Sequence, residues 1–324
     1  MLSYDQVVTE YGEWTAMSIK LPNGKYTRKQ AVDWRLRRLL QVAADTIGRP
    51  LSKCRVLDLA CLEGHYAIEF GLHGAETVGI EGREASLAKC EFVQKELGLN
   101  RAKFILGDVR DLSVKRHGQF DIIICSGILY HLRAEEAWRL LKNMHDVCKG
   151  IVLVDTFIAL ESHVSVKAGQ HERGGLFYHE HDDAASKEIK ASALWASLDN
   201  ESSFWFTQPS LLNMIAEIGF TSCMEVLLPV MPGNFNDRRT YLLTRGKMQQ
   251  ILSSEMTNAV NFQSVPEREE RKFDPIQIKR SWLYKNAKRC LPQTIKNQLK
   301  PVLRALGVVP PDDTPEFARK KKLE

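Results

Sequence analysis

Five short apolar segments alternate with helical patterns in this chain, and this order constrains the fold more than any other feature. The segments cover residues 54–60, 76–81, 102–108, 120–127 and 150–157. Strands of a parallel sheet that helices cover on both faces have this near-continuous apolar character. Two further strands are expected near 221–229 and 239–244. The sequence therefore predicts an α/β fold with a doubly wound, mostly parallel, seven-stranded sheet.

Composition changes near residue 247 and divides the chain. The 324 residues are 44% hydrophobic and 26% charged, as in soluble globular proteins, with a net charge of +5. Residues 247–324 hold 16 Lys and Arg against 9 Asp and Glu, together with seven of the twelve prolines. We expect a helical segment over 1–50, one domain over 51–246 and a basic, proline-containing tail over 247–324. Within the domain, 158–206 interrupt the pattern and predict a long irregular insertion, which is usually functional.

Cellular location is predicted from what the sequence lacks. The first residues, MLSYDQVV, contain no cationic and apolar leader, and no apolar stretch approaches the roughly 18 residues of a membrane-spanning helix. The seven cysteines are scattered and form no CxxC pair. We therefore expect reduced thiols, no structural zinc and a cytoplasmic location.

The tail is basic over residues 279–304, which carry eight Lys and Arg and no acid. Apolar residues such as Ile295 and Leu299 recur at helical spacing, with Lys296 and Lys300 beside them. Three interpretations stay open: an appendage that is solvated or packs on the domain, a peripheral contact with an anionic membrane, or a contact with nucleic-acid phosphates.

The end of the first predicted strand gives the best indication of a ligand. Asp58 precedes a turn that runs from Ala60 to Gly64, and Glu81 ends the second strand 23 residues after Asp58. Small residues let the backbone approach a ligand, and an acid at this spacing accepts hydrogen bonds from ribose hydroxyls. Because Asp58 would repel a pyrophosphate, the turn favours a cofactor with a cationic amino group over a dinucleotide.

With these residues in place, the sequence resembles the class I S-adenosylmethionine-dependent methyltransferases over roughly residues 50–246. The matching motifs are DLACLEG, GIEGRE, Gly107-Asp108-Val109 and FDIIICSG. The resemblance implies S-adenosylmethionine as cofactor, and it implies the cofactor-binding residues Asp58, Ala60, Gly64, Glu81, Asp108, Val109 and Ser126. Asp58 and Ala60 would hold the methionine part, Glu81 the ribose, and Asp108 with Val109 the adenine. The sequence departs from the family at Ala60 and Leu62, where the family has glycine.

The segment from Ser126 to His131 leaves the fourth strand at its carboxyl end, where ligands bind in open α/β sheets. It is similar to the SMGVLYH segment of the tRNA wobble-uridine carboxymethyltransferases, and Arg238-Arg239 resemble a basic pair of that family. The resemblance implies that Tyr130 contacts the sulfonium substituent, and that Arg239 matches an arginine that binds the transferred carboxylate. His131 is the candidate catalytic base; alternatively, Tyr130 and His131 only order the loop.

Candidate acceptor-binding residues lie near the predicted insertion. Asp155 ends the fifth strand and either orients an acceptor or caps the following loop. His179 and His181 would share one face of an extended segment and contact a polar acceptor; a zinc or iron site is the alternative, but no further paired ligand is evident, so no metal is expected. We expect Trp195 and Trp205 to lie in the core of the insertion.

The predicted function is in-line transfer of a methyl group to an oxygen or nitrogen atom of a small or lipid-linked metabolite. One alternative is an enzyme like the tRNA wobble-uridine (carboxy)methyltransferases. Another is a non-catalytic S-adenosylmethionine-binding scaffold, which the altered turn at Ala60 and Leu62 keeps open. The oligomeric state stays open as well.

Overall fold

The computed structural model describes residues 3–16, 18–29, 32–182, 184–231, 236–246 and 267–269. The α-helices of the described chain are α1 (Tyr4–Tyr11), α2 (Trp34–Thr46), α3 (His65–Leu72), α4 (Glu84–Glu96), α5 (Val114–His117), α6 (Ala134–Val147), α7 (Lys187–Ser192) and α8 (Gln208–Ile218). The strands are β1 (Arg55–Leu59), β2 (Glu76–Glu81), β3 (Ala102–Leu106), β4 (Phe120–Ser126), β5 (Cys148–Phe157), β6 (Val164–Ala168), β7 (His171–His179), β8 (Ser202–Phe206), β9 (Ser222–Glu225) and β10 (Arg238–Thr244). The predicted basic tail lies outside the described residues, apart from 267–269.

The main sheet has seven strands in the order β3-β2-β1-β4-β5-β10-β9. Strands β1 to β5 are parallel, whereas β10 pairs antiparallel with both β5 and β9. The order reverses between β1 and β4, and in open α/β sheets ligands bind at this switch point. The predicted doubly wound, mostly parallel sheet is confirmed.

Strand β4 shows why its sequence has no polar alternation. Ile123 and Cys125 belong to the core on one face of the sheet, and Ile122 and Ile124 belong to the core on the other. Helices α6 and α8 cover the first face, and α2 and α3 cover the second. Successive side chains of a strand point to opposite faces, so a strand covered on both faces must be apolar throughout.

The segment 158–206 differs from the expected irregular insertion. It contains a separate antiparallel sheet in the order β6-β7-β8, together with α7. The sequence concealed β7 because two glycines interrupt it; a Cβ at Gly175 would come within 2.2 Å of the carbonyl oxygen of Trp205. The prediction for Trp195 was wrong, since it is 70% exposed, whereas Trp205 stacks on Phe157 with ring centroids 5.0 Å apart.

The elements near the end of the described chain differ in their bounds from the sequence prediction. Strand β9 ends at Glu225, several residues before the predicted end, and residues 226–231 have no regular secondary structure. Helix α8 begins where its sequence indicates, because the hydroxyl of Thr207 accepts a hydrogen bond from the backbone N–H of Ser210 at 3.3 Å. No helix in the described ranges is long and apolar enough to cross a membrane.

Candidate functional site

A cavity of about 380 Å³ opens at the carboxyl ends of β1, β2 and β4, and we call it the sheet-edge pocket. Seven residues that the sequence predicted line it: Ala60, Glu81, Asp108, Val109, Ser126, Tyr130 and His131. The predicted residues Asp58, Gly64, Asp155, His179, His181 and Arg239 do not line it. The sheet therefore brings together the residues at strand ends, and the others lie elsewhere.

The turn after β1 has a backbone conformation that favours glycine. Ala60 and Leu62 have φ angles of +52° and +51°, and they are the only non-glycine residues of the described chain with positive φ. Such a conformation costs of order 1–3 kcal/mol and persists where the surroundings impose it, often at ligand sites. The turn is held by the carboxylate of Glu81, which accepts a hydrogen bond from the N–H of Leu62 at 2.8 Å.

Glu81 is buried, and its second oxygen accepts the N–H of Arg83 at 2.9 Å. Burial raises the pKa of Glu81, and these backbone N–H groups oppose the rise. A carboxylate has about four acceptor positions, and Gly82 also donates its backbone N–H, so acceptor capacity remains for a hydroxyl group in the pocket.

Asp58 and Gly64 lie outside the pocket lining and fix the turn to the start of α3. The carboxyl of Asp58 is buried and accepts the N–H of Ala67, in the first turn of α3, at 3.0 Å. Burial raises the pKa of Asp58 to about 8, and the negative charge of Glu81 adds to the rise. Gly64 precedes α3 with φ +81°, and a Cβ there would lie 2.9 Å from the ring of Phe104.

Asp108 and Val109 follow β3 at the pocket wall. The carboxylate of Asp108 accepts the N–H of Arg110 at 2.8 Å and pairs with its guanidinium group. Partial burial alone would raise the pKa of Asp108, but the hydrogen bonds from Arg110 lower it below its usual value. Arg110 also pairs with Asp199 at 2.7 Å, so it links this wall to the segment before β8.

Tyr130 lies among aromatic and cationic groups. Its ring packs edge-on against Phe157 with centroids 4.9 Å apart, and the guanidinium of Arg238 lies 5.7 Å from its centroid. Burial raises the pKa of Tyr130, although Arg238 and Arg35 oppose the rise, so the phenol stays protonated at neutral pH. Ser126 Oγ lies 3.2 Å from the hydroxyl of Tyr66 at the same end of the pocket.

His131 is paired with Glu180, a residue that the sequence analysis did not select. His131 Nδ1 lies 2.8 Å from Glu180 Oε1, and Glu180 Oε2 accepts the N–H of Ser197 at 3.0 Å. Burial opposes ionisation of Glu180, but His131 lowers its pKa below the usual value. The sequence did contain a sign of this residue, because Glu180 lies in the run His179-Glu180-His181-Asp182-Asp183 that the sequence analysis considered for its histidines.

The two histidines of that run lie elsewhere. His179 is 61% exposed at its side chain, and His181 is buried with Nε2 2.6 Å from the carbonyl oxygen of Ser197.

Residues 194–199 form one wall of the sheet-edge pocket. Arg83, also missed by the sequence analysis, donates hydrogen bonds to the carbonyl oxygens of Ala191, Ala193 and Ala196 at 3.0–3.1 Å. The segment is therefore attached to Arg83, which lies within the GIEGRE motif two residues after Glu81.

Asp155 and Arg239 belong to a neighbouring region. Asp155 is fully buried; it accepts hydrogen bonds from Arg238 Nε at 2.6 Å and from the hydroxyl of Thr240 at 2.7 Å, and it pairs with Arg35 at 3.2 Å. Arg239 pairs with Glu225 at 3.1 Å and lines a second cavity. Asp155 thus orients two arginine side chains. Within the described chain no cluster of His, Cys, Asp and Glu could hold a metal ion.

S-adenosylmethionine fits the sheet-edge pocket on chemical grounds. The left-handed turn brings backbone close to the cavity, and buried Glu81 supplies acceptors for ribose hydroxyls. Val109 adds an apolar side chain and Tyr130 an aromatic ring to the lining, and such groups suit a flat base and a sulfonium.

Comparison with known proteins supports this assignment. Residues 50–195 match a family model described as a methyltransferase domain. The O-antigen chain terminator bifunctional methyltransferase/kinase WbdD of Escherichia coli is 29% identical over 112 residues, which are 33% of this chain and 15% of that protein. The tRNA U34 carboxymethyltransferase of Dichelobacter nodosus is 28% identical over 127 residues, which are 39% of this chain and 38% of that protein.

The fold is also seen in a solved structure. The crystal structure of the N-terminal domain of EvdMO1 in the presence of SAH and D-fucose has a TM-score of 0.58 and 20% identity, and the match covers 74% of this chain and 94% of that one. Residues 50–195 thus match a methyltransferase domain, and this match indicates S-adenosylmethionine as the cofactor.

Proposed function

We propose that the chain transfers a methyl group from S-adenosylmethionine to an oxygen or nitrogen atom of a small or lipid-linked metabolite. The observation that carries the proposal is the pair of His131 and Glu180 at the pocket, with Nδ1 and Oε1 2.8 Å apart. The donor supplies an electrophilic methyl group on a sulfonium. An acceptor hydroxyl must lose a proton as it attacks that carbon in line, and a base at the pocket meets this need.

The His131–Glu180 pair is suited to receive that proton. Glu180 accepts the Nδ1–H of His131, which fixes the tautomer and leaves Nε2 to accept a proton from the acceptor. Because Glu180 stays ionised, its charge stabilises the imidazolium that forms. The phenol of Tyr130, protonated at neutral pH, contributes an aromatic face and a hydrogen-bond donor.

The test compares His131→Asn and Glu180→Gln with the wild type. Tritium from methyl-labelled S-adenosylmethionine is followed into a metabolite extract, which is then separated into aqueous and lipid fractions. We expect label transfer to fall about 100-fold in both variants, within the usual range for loss of a general base. The calorimetric Kd for S-adenosylhomocysteine should change less than threefold. Equal label transfer in wild type and variants would remove His131 as the base.

A tRNA-modifying activity is the second candidate. It is favoured by the Ser126–His131 segment and by the 28% identity to the tRNA U34 carboxymethyltransferase. It predicts tighter binding of carboxy-S-adenosylmethionine than of S-adenosylmethionine, and label in tRNA when the donor is carboxy-S-adenosylmethionine labelled in its carboxymethyl group. A third candidate, the non-catalytic scaffold, predicts donor binding without label in any fraction.

We also propose that residues 279–304 contact an anionic membrane surface and bring the domain to a lipid-linked acceptor. Their eight cations and absence of acids support this proposal.

A further inference from the structure

A second cavity of about 430 Å³ adjoins the sheet-edge pocket, and we call it the arginine pocket. Ala16, Asp33, Arg35 and Arg238 line both cavities. The arginine pocket is lined by Arg28, Arg35, Arg38, Arg238 and Arg239. A molecule bound here would therefore reach the sulfonium end of the sheet-edge pocket, where Arg238 faces Tyr130.

The arginine pocket carries excess positive charge. Among the residues that the structure describes, two carboxylates line it, those of Asp33 and Glu225, and Asp155 lies buried behind it. Arg38 donates to uncharged groups in the described chain: the hydroxyl of Thr240 and the carbonyl oxygens of Leu227 and Pro229. Five guanidinium groups thus face two lining acids, a balance that favours an anion.

One buried donor in this pocket lacks a partner. The side chain of Arg238 is 9% exposed, and its Nη2 makes no hydrogen bond with any described residue. Burying a charged donor without a partner is costly, so such a group indicates a missing ligand or water. Its position on the boundary of the two cavities points to a ligand that spans both.

The rim of the arginine pocket is apolar. Val32, Trp34 and Leu227 line it and are 49%, 44% and 69% exposed. Exposed apolar side chains next to a cationic floor suit a molecule whose anionic group adjoins a hydrocarbon part.

We propose that the arginine pocket binds the anionic group, phosphate or carboxylate, of an amphipathic acceptor and holds its nucleophile beside Tyr130 and His131. This proposal rests on the proposed methyl transfer and narrows its substrate class. Arg239 and Arg38 contact the anion, the apolar rim contacts the hydrocarbon, and Asp155 positions Arg238.

The experiment is a calorimetric titration of the full chain saturated with S-adenosylhomocysteine. The probes are hexyl phosphate, hexanoate and inorganic phosphate, with hexanol as the neutral control. We expect hexyl phosphate or hexanoate to bind and hexanol not to bind. The ratio of the Kd values of hexyl phosphate and hexanoate shows whether the pocket prefers a phosphate or a carboxylate. Inorganic phosphate should bind more weakly than hexyl phosphate because it cannot contact the rim.

Three variants identify the pocket. Arg239→Gln should weaken anion binding at least tenfold, since it removes a cation and leaves the charge of Glu225. Glu225→Gln should tighten it severalfold, because it frees Arg239 from its ion pair. Arg139→Gln, on the exposed face of α6, should leave it unchanged. A loss of stability alone would not produce opposite signs in the first two variants.

Several outcomes overturn the proposal. If the protein binds S-adenosylhomocysteine but none of the anions, this proposal is rejected and the proposed methyl transfer stands. If the protein does not bind S-adenosylhomocysteine, the proposed function is rejected instead. Equal anion affinity in Arg239→Gln and Arg139→Gln would mean non-specific attraction. A preference for carboxy-S-adenosylmethionine that disappears in Arg239→Gln would assign the arginines to the donor.

Discussion

Ala60 holds a left-handed conformation that glycine adopts at no steric cost. We predict that Ala60→Gly raises the free energy of unfolding by about 1 kcal/mol, because the relief of strain exceeds the entropy that glycine adds to the unfolded chain. Urea denaturation measures the change. The matched control is Ala44→Gly, at an exposed position of α2, where the same replacement should lower stability by about 1 kcal/mol. A loss of stability in both variants would contradict the strain at Ala60.

Asp58 makes stability depend on pH. Its folded pKa is about 8, whereas an unfolded aspartate titrates near about 3.9, so the folded state holds the extra proton between these values. The unfolded state binds fewer protons in this window, and the free energy of unfolding must therefore fall as pH rises from about 4 to about 8. In the wild type this fall amounts to a few kcal/mol, and we predict that it is absent in Asp58→Asn.

The measurement for Asp58 is urea denaturation at pH 5 and at pH 8, in wild type and in Asp58→Asn. Glu81, whose pKa burial also raises, is present in both proteins, so the comparison reports the titration of Asp58 together with its interaction with Glu81. Parallel pH profiles of the two proteins would mean that Asp58 is ionised in the folded state.

At the scale of elements, the segment before β8 depends on Arg83. Its guanidinium holds the carbonyl oxygens of Ala191, Ala193 and Ala196, and residues 194–199 form a wall of the sheet-edge pocket. We predict that Arg83→Ala speeds amide hydrogen exchange in 191–199 and weakens S-adenosylhomocysteine binding about tenfold, as expected for loss of charged hydrogen bonds. Exchange mass spectrometry and calorimetry test this. Arg116→Ala, at an exposed ion pair of α5, is the control; equal exchange in both variants would refute the tether.

The elements also show which parts of the fold a sequence can predict. Strands β1, β2, β4 and β5 were predicted because burial on both faces makes them largely apolar; β3, at the edge of the sheet, is partly exposed but has enough apolar residues to be recognised. Strands β6 to β8 were not, since they lie in a small, partly exposed sheet and have no continuous apolar run: β6 alternates polar and apolar residues, and two glycines interrupt β7. Site residues at strand ends were found because parallel strands end at one edge. Glu180 and Arg83 were missed because their contacts span 49 and 108 residues, which no local pattern encodes.

At the scale of the molecule, the arginine pocket is assembled from distant parts of the chain. Arg35 and Arg38 lie in α2, whereas Arg238 and Arg239 begin β10, and the hydroxyl of Thr240 accepts a hydrogen bond from Arg38 across 202 residues. The expected helical segment over 1–50 therefore contributes to a cavity wall as well as to the core. Sequence reasoning treated the two ends separately, so it selected Arg239 and left Arg35 and Arg38 without a role.

The basic tail gives the last prediction, which concerns where the whole protein acts. If residues 279–304 lie on an anionic membrane, each cation near the surface contributes about 1 kcal/mol. Changing Lys296, Lys300 and Arg304 together to Gln in the full chain should weaken binding to phosphatidylserine-containing vesicles about 100-fold. Sedimentation measures the bound fraction, with neutral phosphatidylcholine vesicles as the lipid control. The charge-conserving variant, with Lys296 and Lys300 changed to Arg, should sediment like wild type. Unchanged sedimentation of the Gln variant would show that these cations do not hold the protein at the surface, and the lipid-linked acceptor would lose its support from the tail.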